Sequence, residues 1–286
     1  ASDVYKRQGQ RRPASGQTDT TFTSGSATPV GERLWIYTNF HCNLACRYCC
    51  ARSSPAADPR LMPLPLTAAV AAEFAALGGR ELFVTGGEPF LHPEIVDVVA
   101  ACSTRLPTTI LTNAMVIQRG GRRRALESLD RDAVTLQISL DSADSELHDR
   151  QRGRGSHARA VEGIESVLDL GFRVRIAATW FDDEPEAGSA WIALLDRWGI
   201  PETDRLVRPV ARQGFAEESG TGEHVTVDSL APEPTITAEG VWWHPVAVTD
   251  PAMQVAAAPL PIAAALDTIR DTVAVQDAAR REGRRH

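Results

Sequence analysis

Lysine is almost missing from this chain of 286 residues: Lys6 is the only one, and arginine supplies the remaining positive charge. Long apolar runs are missing too. The richest, residues 68–77, is short and is broken by Glu73, well below the roughly 20 residues needed to cross a bilayer. A cytosolic protein is expected. A basic surplus is also lacking; the net charge of -7 argues against a general nucleic-acid binder, which would carry a basic stripe. Dispersed cysteines, the mark of a secreted disulfide framework, are absent, because four of the five cysteines fall within nine residues, Cys42 to Cys50. Such a cluster points to a metal. There is no internal repeat.

The opening has no initiator methionine. Its string Asp3-Val4-Tyr5-Lys6-Arg7-Gln8 resembles a translated transposon end used as a sequencing adaptor, a natural arginine-rich leader being the alternative. Residues 9–30, rich in Gly, Ser, Thr and Pro, offer too little apolar surface to order themselves. Residues 1–30 are therefore expected to be disordered and to lie outside the fold.

The remainder alternates β-branched runs with helical periodicity. Strands are predicted at residues 34–38, 81–85, 108–112, 134–140, 173–179 and 205–210. Helices are predicted at 67–77, 93–102, 122–129, 156–170 and 186–198. Repeated βα units of this kind build an α/β fold, here a partial (β/α)6 TIM-like barrel with ligands at the C-terminal strand ends. An open doubly wound sheet would gather its ligands at the same ends. A core over residues 31–214 is expected, then a C-terminal extension over 215–286. That extension begins with an irregular Gly/Glu/Ser/Pro-rich stretch. A hairpin follows at 234–245, turning at Ala238-Glu239-Gly240, then a helix at 261–280 and a solvated arginine-rich tail.

The strongest chemical signal is C-x-x-x-C-x-x-C at Cys42, Cys46 and Cys49, directly after the first predicted strand. Thiolates suit iron-sulfur clusters or zinc. Three thiolates on a cubane of four irons leave one iron open to a small molecule. A structural zinc, with His41 or Cys50 as fourth ligand, would usually take a second ligand pair, and the sequence has none. Cys50 reads as a spare thiol and Cys102 as buried packing. Gly86-Gly87-Glu88-Pro89 follows the second strand; its glycines allow close backbone approach, and Glu88 can accept a hydrogen bond from an ammonium. Thr112-Asn113 and Ser139-Leu140-Asp141 end the third and fourth strands, where polar residues can also be simple caps.

The cysteine spacing, with Tyr48 just before the third cysteine, resembles the radical S-adenosylmethionine (radical SAM) superfamily. The stretch from Ser139, with His148-Asp149 and Arg152-Gly153, is similar to the subgroup of peptide-modifying and cofactor-maturing members. The likeness spans residues 34–214. It implies one 4Fe-4S cluster on Cys42, Cys46 and Cys49, and S-adenosylmethionine as the second cofactor. By the same resemblance Tyr48 lies near the adenine, and Gly86, Gly87 and Glu88 receive the methionine amino group. Ser139 and Arg152 contact its carboxylate or ribose, Asn113 and Asp141 belong to the same pocket, and Val207, before Arg208-Pro209, gives an apolar contact to the adenine. Relatives often carry auxiliary clusters, but His244 stands where a further cysteine would be expected and no cysteine follows Cys102. No auxiliary cluster is expected, and His244 is expected at the surface or facing substrate.

The implied chemistry is reductive cleavage of S-adenosylmethionine to a 5'-deoxyadenosyl radical that takes hydrogen from a peptide or small-molecule precursor, with flavodoxin or ferredoxin as reductant. No catalytic residue beyond the cluster ligands is implied. A non-catalytic iron-sulfur electron-transfer or sensor protein is the alternative, with a zinc-binding interaction module third.

Overall fold

The computed structural model describes residues 29–180 and 187–283. The expected disorder of residues 1–30 thus falls almost wholly outside the described residues, as do Glu186 of one expected helix and the last residues of the arginine tail.

Six parallel strands form where expected: β1 (Arg33–Tyr37), β2 (Glu81–Thr85), β3 (Thr108–Thr112), β4 (Val134–Ser139), β5 (Arg173–Trp180) and β6 (Arg205–Pro209). Between them run α1 (Leu64–Ala76), α2 (Ile95–Ser103), α3 (Gly120–Glu127), α4 (Ser145–Arg152), α5 (Ser156–Asp169) and α6 (Ala187–Arg197). A short α7 (Phe215–Glu218) follows, then β7 (Thr235–Thr237), β8 (Gly240–Trp242), β9 (Gln254–Ala256) and the long α8 (Ile262–Gly283). The strand order is β6-β5-β4-β3-β2-β1-β7-β8-β9. The C-terminal hairpin forms and docks β7, parallel, on the outer edge of β1. Its partner β9 was not anticipated, being only three residues long.

Side chains alternate across each strand, and the two faces differ in chemistry. Leu34, Ile36, Leu82, Val84, Ile110, Leu136, Ile138, Val174 and Ile176 turn to the helix layer. There they are buried with Val70 and Phe74 of α1, Val98 of α2, Ile164 and Val167 of α5, and Leu195 of α6. Each such burial contributes roughly 1.5–3 kcal/mol relative to exposure. The opposite face carries Arg33, Trp35, Glu81, Phe83, Gln137, Arg175 and Arg208, with Trp35 stacked on Phe83 at 4.4 Å. This face is thus polar and aromatic where the helix-facing one is aliphatic.

Helix α4 was missed. Its residues SELHDRQR hold one aliphatic side chain, so no apolar stripe announces it. It is fixed instead by its cap, Asp144, which accepts from the backbone N–H of Glu146 at 2.7 Å and of Leu147 at 3.1 Å. Helix α8 docks by Ile262, Ala265 and Leu266, and its Ala263 N–H donates to Glu73 of α1 at 3.1 Å.

Candidate active site at the strand ends

The loop leaving β1 carries the three cysteines, and the loop leaving β2 clamps it. Asn39, fully buried, donates from Nδ2 to the Glu88 carbonyl at 3.0 Å and accepts the Gly87 N–H on Oδ1 at 3.1 Å. The Glu88 N–H donates to the His41 carbonyl at 3.0 Å. A Cβ on Gly87 would stand 2.2 Å from that carbonyl oxygen. What the glycine approaches closely is thus the cysteine loop itself. A second clamp comes from beyond β6. Gly214, at φ +60°, presses on the Cys49 and Cys50 carbonyls, where a Cβ would sit at 2.3 and 2.4 Å, and the Phe215 N–H donates to the Cys49 carbonyl at 3.0 Å.

Cys42, Cys46 and Cys49 are all free thiols. Backbone N–H groups face two of the sulfurs, Leu44 toward Cys42 and Ser53 toward Cys49, each at 3.4 Å, and Asn113 Nδ2 lies 3.7 Å from the Cys42 sulfur. Such donors favour thiolate sulfur. Burial works the other way: it pushes the Cys42 thiol above the ordinary range, with the Glu88 charge adding, and pushes Cys46 to about 12 against the opposing charge of Arg152. A cationic centre would have to displace these protons on binding. Among the described residues no three His, Cys, Asp or Glu side chains converge tightly enough for a single metal ion. Thiolates that each bind a different corner of an iron-sulfur cluster need not converge so. Three soft donors on one doubly clamped loop fit such a group.

Glu88 is fully buried below the loop. Its Oε1 accepts the Thr112 hydroxyl at 2.8 Å and the Phe90 N–H at 3.1 Å, and its Oε2 accepts the Asn113 N–H at 2.9 Å. Of about four acceptor positions on a carboxylate, three are engaged. Burial pushes its carboxyl up to about 7, against the three hydrogen bonds. Asn113 in turn bonds Asn43 at 2.9 Å, tying the end of β3 to the cysteine loop.

Beyond β4 lies a buried ion pair. Asp141 accepts from Arg152 Nε at 2.7 Å and Nη2 at 3.2 Å, from the Tyr48 hydroxyl at 2.7 Å and from the Thr179 N–H at 3.0 Å. Burial pushes the Asp141 carboxyl up, but the charge and hydrogen bonds of Arg152 outweigh it and hold it below the usual carboxylate range. The Arg152 guanidinium also lies 5.4 Å from the Tyr48 ring centre. His148 of α4 accepts the Asp141 N–H on Nδ1 at 3.2 Å; burial, then the Arg152 charge, lowers it to about 4, so it stands neutral.

The structure therefore brings Tyr48, Asp141 and Arg152 into one network, and Gly87, Glu88, Asn113 and Cys42 into another. Gly86 and Ser139 lie at the ends of β2 and β4 beside them. Val207 is not brought in. It pairs in register with Ala178 and is buried in the helix-facing core, because side-chain parity on β6 sends Leu206 and Arg208 to the inner face instead. His244 is not at the surface either; it is 8% exposed, and its Nδ1 accepts the Val246 N–H at 3.2 Å. Sequence reasoning missed Asn39, Asn43 and Gly214. A polar residue just past β1 was the available signal for Asn39, whereas Gly214 had none.

Residues 36–186, more than half of the chain, match the family model described as the radical SAM superfamily. The chain belongs to that superfamily. Radical SAM proteins use a 4Fe-4S cluster and S-adenosylmethionine. The antilisterial bacteriocin subtilosin biosynthesis protein AlbA of Bacillus subtilis is 31% identical over 206 residues, 69% of this chain and 41% of AlbA. The mycofactocin maturase MftC of Mycobacterium ulcerans is 30% identical over 175 residues, 60% of this chain and 46% of MftC. The chain thus spans less than half the length of these relatives. Among solved structures, anSMEcpe with bound AdoMet matches with a TM-score of 0.63 at 11% identity, covering 84% of this chain and 82% of that one. Streptococcus suis SuiB bound to S-adenosylmethionine matches with a TM-score of 0.55 at 22% identity, covering 71% and 45%. These likenesses establish the partial TIM-like barrel fold. Among the described residues no helix is long and apolar enough to cross a membrane.

Proposed function

We propose that this radical SAM protein cleaves S-adenosylmethionine reductively and uses the resulting radical to modify a precursor peptide. The observation that carries the reading is the doubly clamped loop of Cys42, Cys46 and Cys49 beside the Tyr48–Asp141–Arg152 network. Bound there, the reduced cluster would supply the electron that splits the sulfur–carbon bond, giving methionine and a 5'-deoxyadenosyl radical that takes a hydrogen atom from a substrate carbon. The protein's own part is binding, orientation and exclusion of water. Asn39, Gly87 and Gly214 hold the cysteine loop in one geometry. Glu88, with one acceptor position left on Oε2, and Asn113 face the methionine amino end. Arg152 offers a planar fork to its carboxylate or ribose, pre-set by Asp141, while Ser139 lines the strand end and Tyr48 flanks the base. Flavodoxin or ferredoxin serves as electron donor.

A peptide substrate is supported by the likeness to a bacteriocin biosynthesis protein and, at the level of fold, to SuiB, which binds the precursor peptide SuiA. GTP 3',8-cyclases are also similar, one from Aeromonas hydrophila at 30% identity over 165 residues, and keep a small-molecule precursor in view. The test is anaerobic reconstitution with iron and sulfide, reduction by dithionite, and chromatography for 5'-deoxyadenosine. Methionine and 5'-deoxyadenosine are expected in equal amounts. A brown, loaded protein that forms neither would refute the reading and leave an electron carrier.

A further inference from the structure

Around β5 the inner face of the sheet is less fully buried than the helix-facing side. On β5, Val174, Ile176 and Ala178 are buried, whereas Arg175, Ala177 and Thr179 keep solvent contact, as do Ser139 and Arg208 on the neighbouring strands. Arg208 pairs in register with Thr179, the residue whose N–H bonds Asp141, so these partly exposed residues adjoin the Tyr48–Asp141–Arg152 network. From β6 the Arg208 guanidinium reaches the face of Trp35 on β1, 5.9 Å from its ring centre.

Two of the nearby carboxylates are engaged elsewhere. Glu81 pairs with Arg33 at 3.3 Å, and Asp204 pairs with Arg173 at 2.8 Å and Arg175 at 3.8 Å. Glu233 lies near His244, as Arg208 does, and its buried Oε2 has no hydrogen-bond partner; among the described residues no ion pair within 4.0 Å joins it, or any other carboxylate, to Arg208. Three side chains of the same face also hold polar atoms without a hydrogen-bond partner: Trp35 Nε1 and Gln137 Oε1, on residues 2% and 3% exposed, and Arg175 Nε. A partly exposed guanidinium laid on an aromatic ring, with its fork uncommitted, matches a planar anion. Water alone would satisfy the charge, but would not call for the aromatic floor.

We propose that Arg208 is a specificity-determining residue that receives a carboxylate of the substrate and so holds an acidic peptide segment against this face. This rests on the proposed function and narrows it: the peptide is recognised by an aspartate or glutamate side chain, or by its C-terminus. Three pentapeptides of otherwise identical sequence serve as probes. One has a central glutamate and an amidated end, one a central glutamine and an amidated end, and one a central glutamine and a free end. Their binding to the full, cluster-loaded chain with S-adenosylmethionine is followed by calorimetry.

One charged peptide, and which one identifies the source, should bind about tenfold or more tightly than the neutral peptide, as expected for a charge-assisted hydrogen bond. Arg208→Gln should erase that preference and Arg208→Lys should restore part of it, with affinity for S-adenosylmethionine unchanged in both. Equal binding of all three peptides, binding of none at millimolar concentration, or a preference that survives Arg208→Gln would overturn the proposal. So would a loss of S-adenosylmethionine affinity in Arg208→Gln, which would give the arginine to the cofactor. Formation of 5'-deoxyadenosine in the unmodified protein is scored separately, so the specificity proposal can fail while the radical SAM reading stands.

Discussion

Replacing Asp141 by asparagine leaves the shape of the site almost unchanged and removes the charge that organises it. Asp141 is 4% exposed and receives hydrogen bonds from Arg152, Tyr48 and Thr179, every partner being a donor. An asparagine has one acceptor oxygen, so its NH2 must face at least one of those donors, and Arg152, 9% exposed, loses its counter-charge. Breaking a buried pair from one side costs about 3–5 kcal/mol. With a urea slope of about 2–3 kcal/mol per molar, the unfolding midpoint should fall by about 1–2.5 M. The double variant Asp141→Asn with Arg152→Met removes both charges and should recover much of the loss, giving a large coupling energy in the cycle. Because the Asp141 carboxyl is held below its ordinary range, its contribution is complete above the unfolded carboxylate value and fades as pH falls through the folded one. Wild type and Asp141→Asn should therefore converge in acid. A single-variant cost under about 1 kcal/mol at neutral pH, or simple additivity in the cycle, would show that the pair does not hold the site together.

Three further outcomes are expected. Cys46→Ala should lose the brown chromophore on anaerobic reconstitution; normal iron and sulfide content in that variant would contradict the cluster assignment. Gly87→Ala, whose Cβ would meet the His41 carbonyl at 2.2 Å, should lower the melting temperature and the iron content together, whereas Gly121→Ala on α3, with only an arginine tip at 3.9 Å, should do neither. His148, held neutral down to about pH 4, takes up a proton in the unfolded chain below about 6.5, so stability should fall by about 3 kcal/mol as pH drops between those values. His148→Gln keeps an acceptor for the Asp141 N–H, and a urea-midpoint profile as steep as wild type over that range would assign the acid sensitivity elsewhere.

Much of the architecture could be read from the sequence because parallel strands buried against helices advertise themselves as β-branched runs spaced by amphipathic segments. The same logic hid α4, whose buried side chains are His148, Gln151 and Arg152 rather than aliphatics. It also could not fix strand parity: Val207 and Arg208 are adjacent in sequence but face opposite sides, and only the register with Ala178 and Thr179 tells them apart. The cysteine loop was legible because its spacing is local. Its supports were not, since Gly214 meets the Cys49 and Cys50 carbonyls across more than 160 residues.

The pairing of β7 with β1 has a consequence for the order of folding events. Trp35 meets Thr235, and the Tyr37 hydroxyl donates to the Pro245 carbonyl at 2.7 Å, some two hundred residues further along. During synthesis the first strand must wait, one edge bare, until nearly the whole barrel has left the ribosome. Closing so distant a contact is entropically expensive and slow, and a bare strand edge is a template for wrong partners. The emerging chain is thus most vulnerable to aggregation before its last hairpin arrives.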